Sequence, residues 1–273
     1  MSQAFQPFDL ERIMSDWEQV VEYNLSESGA HPMKLKELLA YDPDLMDHML
    51  ETELGYGWAN GSPQLREAIA QYYPGATSDN VLVTIGCIEA NYITYQTLLQ
   101  PGNEVAIQVP NYLQGWGIAQ NLGATRKTFS LDPDRRWALN IDEMNAAVTD
   151  QTKLITLCNP NNPTGTLLSY AEQEKFVAAV PSNILVVIDE AYIQFVKDPN
   201  YKNTATLATK YDNVIVTRTF SKVFGMPAMR LGYGICSETI QEKLRFYSTG
   251  SPNMLAYVAG EAAIKDRAHY RRS

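Results

Sequence analysis

Residues 184–192 read ILVVIDEAY, a β-branched apolar run that ends in two carboxylates. A run of this length and composition predicts a strand that is buried on both faces of a sheet. The segments 153–159 (KLITLCN) before it and 213–219 (NVIVTRT) after it have the same character. Between the first two segments, Ser169 and Glu172 have the spacing of a capping box, which predicts the start of a helix. Buried strands that alternate with helices indicate a parallel sheet.

The same alternation continues on both sides of this stretch. Further strands are predicted at 80–85 (NVLVTI), 104–109 (EVAIQV) and 231–236 (LGYGIC). Helices are predicted from Ser62-Pro63, from Glu89 to Leu99, over about 112–122, from Ile141 to Val148 and from Ser169. Successive parallel strands need crossover connections, which place helices on both faces of the sheet. We therefore expect an α/β fold, a three-layer αβα large domain with a mostly parallel sheet.

The first 50 or so residues and the last 20 or so do not fit the alternation, and we expect helices and irregular segments there. The final stretch, AGEAAIKDRAHYRRS, contains strong helix formers and no stop signal. The sequence is therefore expected to be incomplete.

Composition excludes several classes of protein. Lys and Arg total 22 against 31 Asp and Glu, a formal net charge of −9, which is unfavourable for binding nucleic acid. No apolar run approaches the roughly 20 residues of a membrane span, and residues 1–14 do not resemble a signal peptide. The three cysteines form no CxxC pair, so neither a disulfide framework nor a metal site is expected. These features predict a soluble cytoplasmic protein without a metal.

Three polar residues lie at predicted strand ends, where ligands bind in such sheets: Asn162 in NPNNPTG, Asp189 in VVIDEAY and Lys222 in RTFSKVFGMPAMR. Each alone has an ordinary explanation, as a turn residue, a magnesium-binding carboxylate or a solvated lysine. The magnesium-dependent nucleotide hydrolases also need GxxxxGK[ST], and no lysine in this sequence follows a glycine. Together the three residues indicate a different chemistry.

Pyridoxal phosphate needs a lysine amine to form a Schiff base and a carboxylate to keep its pyridine nitrogen protonated. Lys222 suits the first role and Asp189 the second. The cofactor phosphate needs hydroxyls, positive charge and backbone N–H groups at a helix start. Candidates for these contacts are Thr219, Ser221 and Arg230, and the loop–helix junction Gly86, Cys87 and Ile88.

These motifs resemble the class I/II aminotransferase family, the fold-type-I pyridoxal-phosphate enzymes. They occur in the family's order from Tyr56 to Arg230, and the lysine segment is most similar to the histidinol-phosphate aminotransferase branch. The resemblance implies an aspartate-aminotransferase-like fold. Residues 1–50 would be an N-terminal segment of a small domain, 51–250 the cofactor-binding large domain, and 251–273 the start of a C-terminal small domain that is truncated.

The resemblance also implies a role for each matching residue. Lys222 would be the Schiff-base lysine, Asp189 the pyridinium partner, and Tyr112 the side chain that stacks on the ring. Tyr192 and Asn162 would hydrogen-bond the phenolic oxygen. The expected phosphate contacts are those of Thr219, Ser221, Arg230 and residues 86–88, together with Tyr56, which reaches the phosphate of the neighbouring subunit and so implies a homodimer.

Two departures from the family pattern are visible. Ala228 stands where the family usually has glycine, which affects the expected path of the loop. Family members also carry a fuller small domain with the arginine for the substrate's α-carboxylate, and no residue here is assigned that role.

The predicted function is a pyridoxal-phosphate-dependent aminotransferase acting on an amino acid and a 2-oxo acid. An alternative comes from NLSESGAHP (24–32), because Ser28, Gly29 and His31 resemble capreomycidine synthase. That resemblance implies elimination or cyclisation of a hydroxylated amino acid such as hydroxyarginine, with these three residues near the substrate. A further alternative is an inactive truncated fragment. The amino-group donor is not specified by the sequence.

Overall fold

The computed structural model describes residues 5–199, 201–248, 250–266 and 269. Its strands form one sheet. In chain order they are β1 (Val81–Thr84), β2 (Glu104–Val109), β3 (Thr125–Asp132), β4 (Ala138–Leu139), β5 (Thr152–Cys158), β6 (Leu185–Asp189), β7 (Val214–Thr219) and β8 (Gly232–Cys236). Across the sheet the order is β1-β8-β7-β6-β5-β2-β3-β4. The five central strands from β7 to β3 run parallel, whereas β8 is antiparallel to both of its neighbours and β4 is antiparallel to β3.

The α-helices precede, separate and follow these strands. In chain order they are α1 (Asp9–Trp17), α2 (Leu35–Leu39), α3 (Leu45–Leu50), α4 (Pro63–Ala70), α5 (Gly86–Leu98), α6 (Gln114–Asn121), α7 (Ile141–Ala147), α8 (Tyr170–Ala179), α9 (Thr206–Lys210), α10 (Glu238–Arg245) and α11 (Met254–Lys265). The predicted capping box is present at the start of α8, and Ser62 caps α4 with Pro63 in its first turn.

Two apolar clusters cover the two faces of the sheet. One contains Phe129 and Phe176 and includes buried side chains from α4, α7, α8, α9 and α11. The other contains Ile93 and Leu244 and includes side chains from α5, α6 and α10. Burial of apolar area on both faces is the main stabilising contribution in such a three-layer arrangement. The predicted αβα architecture is confirmed.

The differences from the sequence prediction lie at the sheet edge and at helix starts. The segment 125–132 is a strand that the apolar pattern did not indicate, because only Phe129 and Leu131 in it are buried. The helix predicted from Glu89 begins at Gly86, and the one predicted from Tyr112 begins at Gln114. Sequence periodicity is least reliable at such boundaries.

The segments outside the alternation are helical and irregular, as expected. Leu38 of α2, Leu45 of α3 and the buried side chains of α11 belong to the same apolar cluster as one face of the sheet. The division at residues 50 and 250 stays a prediction, and 267–268 and 270–273 lie outside the described residues. Within the described part, no helix is both long and apolar enough to span a bilayer.

Candidate active site

The three predicted polar residues follow the carboxyl ends of adjacent parallel strands. Asp189 is the last residue of β6, and in register it lies between Cys158 of β5 and Thr217 of β7. Asn162 follows β5, and Lys222 follows β7. Because parallel strands end at the same edge, their trailing loops converge there, which is where ligands bind in α/β sheets.

The Asp189 carboxylate is held by donors on two sides. Its Oδ2 accepts hydrogen bonds from Asn91 Nδ2 at 2.7 Å and from Cys87 Sγ at 3.5 Å, and its Oδ1 accepts one from the Ala191 N–H at 3.0 Å. Burial raises the pKa of Asp189, whereas these hydrogen bonds and the charge of Lys222 act in the opposite direction. The three hydrogen bonds also fix the orientation of the carboxylate at the end of β6.

The Lys222 amine contacts the N-terminal segment. Its Nζ donates to Glu27 Oε1 at 3.3 Å and to Ser28 Oγ at 3.4 Å, and it lies 5.6 Å from the centre of the Tyr192 ring. Glu27 Oε1 also accepts from the N–H groups of Ser28 and Gly29. Burial raises the pKa of Glu27, but the Lys222 charge and these hydrogen bonds outweigh it and hold the pKa below its ordinary value.

The Tyr192 hydroxyl joins two of the predicted groups. It accepts a hydrogen bond from Asn162 Nδ2 at 3.2 Å and shares another with Ser28 Oγ at 2.7 Å. Ser28 thereby links Tyr192 to Lys222, and Asn162 joins them through the Tyr192 hydroxyl. The arrangement presents a phenol, an amide and an amine to one small volume.

A second group of polar atoms gathers at the start of α5. Gly86 has φ +75°, and a Cβ there would lie 2.9 Å from Arg230 Nη2, so the guanidinium lies against the first turn of the helix. The side chain of Ile85, the residue before the helix, makes no capping hydrogen bond, and the Ile85 N–H donates to Glu89 Oε2 at 2.6 Å. Thr219 is paired in the sheet with Gly232, whose backbone contacts the same turn. Ser221 donates its N–H to Thr219 Oγ1 at 3.0 Å.

Backbone N–H groups at a helix start, a guanidinium and hydroxyls are the donors that an anion prefers. The site thus combines an amine, a buried carboxylate and an anion cradle. These are the groups that pyridoxal phosphate requires, and the residues present fit it.

The remaining predicted residues are distributed as follows. Tyr112 lines the same small cavity as Asp189, and its hydroxyl donates to Glu11 Oε1 at 2.7 Å. Burial raises the pKa of Tyr112 strongly, and Glu11 adds to the effect. Tyr56 is fully exposed. His31 is also exposed, although its backbone carbonyl packs against Gly225 in the loop after Lys222.

Sequence reasoning missed three polar residues of this region. Glu27 lies inside the NLSESGAHP segment but was not singled out, and Glu11 is in α1, far along the chain from its partner Tyr112. Asn91 is a buried amide on α5, and an amide at a core position of a helix is the one signal that could have marked it.

A cavity of about 430 Å³ adjoins the small cavity that Asp189 and Tyr112 line, and Gln114 lines both cavities. The larger cavity is lined mainly by apolar side chains of the N-terminal segment, α5 and α6, among them Phe5, Phe8 and Ile118. Neither Lys222 nor Asp189 lines it.

Comparison with known proteins finds relatives whose names are those of aminotransferases. Histidinol-phosphate aminotransferase of Moorella thermoacetica is 36% identical over 211 residues, which are 77% of this chain and 54% of that protein. The enzyme of the same name from Rubrobacter xylanophilus is 38% identical over 76% of this chain and 58% of its own length. The chain thus spans little more than half the length of these curated relatives.

Solved structures share the fold. A PLP-dependent aminotransferase from Streptococcus suis aligns with a TM-score of 0.86 at 24% identity, over 99% of this chain and 72% of that one. Aspartate aminotransferase from Thermus thermophilus aligns with a TM-score of 0.84 at 20% identity, over 99% and 73%. A family model described as aminotransferase class I and II matches residues 25–271. On this match, the chain belongs to the class I and II aminotransferase family.

Proposed function

We propose that this chain binds pyridoxal 5′-phosphate and that the protein is an aminotransferase, which moves an amino group between an L-amino acid and a 2-oxo acid. One observation carries the proposal: the Lys222 amine, the buried Asp189 carboxylate and the anion cradle at α5 converge at one edge of the sheet. Because the chain spans little more than half the length of its curated relatives, the activity of the whole protein is also a proposal.

When bound, pyridoxal phosphate supplies an aldehyde that reacts with amines and a ring that, once protonated, accepts electron density from the substrate carbon. Asp189 would keep the pyridine nitrogen protonated by its negative charge. Thr219, Ser221, Arg230 and the N–H groups of residues 86–88 would bind the phosphate. Tyr192 and Asn162 would orient the phenolic oxygen, and Tyr112 would pack on the ring.

Lys222 has two tasks that need the same amine. Its Nζ would hold the cofactor, and the same amine, when free, would take up the proton of the substrate α-carbon and release it again. Because the amine is attached to the loop after β7, it remains within reach of the reacting atoms.

A second reaction of the same cofactor is favoured by one contact. Ser28 hydrogen-bonds both Tyr192 and Lys222, so the segment that resembles capreomycidine synthase lies at the reacting amine. Elimination or cyclisation of a hydroxylated amino acid such as hydroxyarginine is therefore the alternative, with Ser28 and Gly29 next to the substrate.

The expected assembly is a homodimer with shared active sites. Tyr56 is fully exposed in the single chain, as a residue that reaches the phosphate in a neighbouring subunit would be. A cytoplasmic location also stays a prediction, and fractionation of cells would test it.

The decisive experiment combines spectroscopy and product analysis. The chain mixed with pyridoxal phosphate should give a yellow protein that borohydride reduces at Lys222, and Lys222→Ala should not. Reduction at another lysine contradicts the assignment. With amino acids and 2-oxoglutarate, glutamate formation supports transamination, whereas a cyclic guanidine made from hydroxyarginine without glutamate supports the alternative. A yellow protein that forms neither product is the result expected of an inactive fragment.

A further inference from the structure

The Asn91 side chain joins the Asp189 carboxylate to two neighbouring elements. It lies within α5 and is 9% exposed. Its Nδ2 lies 2.7 Å from Asp189 Oδ2 and 3.3 Å from Gln114 Oε1, and its Oδ1 accepts from Thr217 Oγ1 at 3.0 Å. Both amide N–H groups and the carbonyl thus have partners, from β6, α6 and β7.

The orientation of the amide follows from its partners. An ionised carboxylate can only accept, so the atom that faces Asp189 must be the NH2 group. Gln114 is fixed in turn, because its own Nε2 donates to the Ile88 carbonyl at 2.6 Å. Thr217, which is fully buried, can then donate its hydroxyl to the Asn91 oxygen. The whole set is consistent only with Asn91 as a donor to Asp189.

We propose that Asn91 is a positioning residue that keeps the Asp189 carboxylate ionised and directed at the pyridine nitrogen of the bound cofactor. This inference rests on the proposed function. A buried carboxylate is costly to ionise unless donors compensate, and a hydrogen bond to a charged group is the strong kind. If Asp189 took the proton itself, the ring nitrogen would lose its positive charge and accept electrons less well.

The ionisable groups around Asp189 do not replace the Asn91 amide as a donor. Burial raises the pKa of Asp189, and the Asn91 hydrogen bond is the largest influence that lowers it, ahead of the Ala191 N–H, Cys87 and Lys222. The groups that face or adjoin the carboxylate are Cys87 and Tyr95 of α5, Tyr112, Cys158 of β5, Glu190 and Lys222. Of these, only Lys222 is a cation.

The test measures Asp189 directly in the cofactor-free chain. Carbon-13 NMR of labelled aspartate carboxyls, assigned with Asp189→Asn, gives the pKa in the wild type and in Asn91→Leu. We expect the pKa to rise by about one to two in the variant, which is roughly a ten- to hundredfold change in the ratio of ionised to protonated carboxyl. Thr94→Val, a buried change on the same helix that removes the hydroxyl donating to the Ala90 carbonyl, should leave the Asp189 pKa unchanged.

A second readout follows the ring itself. With nitrogen-15-labelled pyridoxal phosphate bound, the wild-type signal should be that of a protonated pyridine, and Asn91→Leu should move it toward the unprotonated value. Asn91→Ser, and Thr217→Val, which frees the amide to rotate, should give smaller changes in the same direction. They decide the matter if Asn91→Leu does not fold. An unchanged Asp189 pKa in a folded variant overturns the inference, whereas a wild type that binds no cofactor overturns only the proposed function.

Discussion

The Nζ of Lys222 lies 3.3 Å from Glu27 Oε1, although 195 positions separate the two residues in the chain. This ion pair fixes the N-terminal segment across the Lys222 amine, together with the hydrogen bond from the Met33 N–H to the Gly225 carbonyl at 2.7 Å. Under the proposed function, a substrate amine that reached Lys222 would lie next to the Glu27 carboxylate. The pair connects the segment that resembles capreomycidine synthase with the lysine that we propose binds the cofactor.

The Glu27 contact should make stability depend on pH. The pKa of Glu27 is lower in the folded chain than its ordinary value, so its stabilising effect is present above the ordinary value and is lost as the pH falls through the lowered one. Glu27→Gln should accordingly be less stable than the wild type near neutral pH. We expect the difference to be small, because the side chain is partly exposed, and to vanish in acid.

Thermal unfolding of both proteins across the acidic range measures this difference. Glu37→Gln, on α2, is a control in which the carboxylate bonds only its own helix start, through the Lys34 N–H. A Glu27→Gln difference that grows as the pH falls is inconsistent with the ion pair.

The anion cradle at the start of α5 predicts a specific loss of cofactor affinity. Arg230→Gln removes the guanidinium that lies against the first turn of α5 but leaves the N–H groups in place. Affinity for pyridoxal phosphate should fall about ten- to hundredfold, the effect expected from losing a charge-assisted hydrogen bond. Equilibrium titration of the yellow absorption measures it. Arg245→Gln, at the end of α10, is the matched control and should bind as the wild type does.

Inorganic phosphate gives an independent check on the same residue. Free phosphate should compete with the cofactor in the wild type, and Arg230→Gln should be less sensitive to it. Equal sensitivity in both proteins would place the phosphate elsewhere.

A buried ion pair between Arg218 and Glu190 lies next to the candidate site. Arg218 Nε donates to Glu190 Oε2 at 2.8 Å, and Arg218 Nη1 donates to the hydroxyl of Tyr73 at 2.9 Å. Glu190 follows Asp189, and Arg218 precedes Thr219, so the pair joins the ends of β6 and β7. Arg218→Met should destabilise the fold by about 3–5 kcal/mol, because it leaves a buried carboxylate without its cation.

The sign of the pH effect is opposite to that for Glu27. Burial raises the pKa of Glu190, and removal of Arg218 removes the charge that opposes this rise. A raised carboxyl pKa favours folding at low pH and weakens it as the pH increases through the folded value. Denaturant unfolding should therefore show a larger loss for Arg218→Met in mildly alkaline than in mildly acidic buffer. The double variant Arg218→Met/Glu190→Leu should lose less, and a loss independent of pH would contradict this account.

The sequence predicts the parallel core of the fold well, for a physical reason. Strands such as β6 are buried on both faces, so their composition is a continuous apolar run that no helix periodicity imitates. The strand β3 was missed because it lies next to the sheet edge, where Arg126 and Lys127 are tolerated. Its neighbours, and not its own pattern, make it a strand.

The residues of the candidate site also fall into those that the sequence indicates and those that it does not. Lys222 and Asp189 are recognisable because the loops that follow strands bring local motifs to one edge. Glu27 and Asn91 are not, since each acts on a partner nearly a hundred or more positions away and has no motif of its own. Only the folded chain shows that an amide in α5 meets the carboxylate of β6.

The Tyr192 hydroxyl offers the sharpest test of how the cofactor lies. It accepts from Asn162 Nδ2 at 3.2 Å and contacts Ser28 Oγ at 2.7 Å, so a phenolic oxygen placed beside it would enter an existing hydrogen-bond network. Tyr192→Phe removes one donor to that oxygen without changing the ring beneath Lys222 Nζ. We expect the yellow absorption to shift and its pH dependence to change, while cofactor affinity falls less than in Arg230→Gln because the phosphate contacts remain.

Tyr247→Phe, a partly exposed tyrosine after α10, controls for the loss of a hydroxyl alone. An absorption spectrum identical to the wild type at every pH would mean that Tyr192 faces another part of the cofactor, and the orientation derived from Asp189 and Arg230 would have to be reversed.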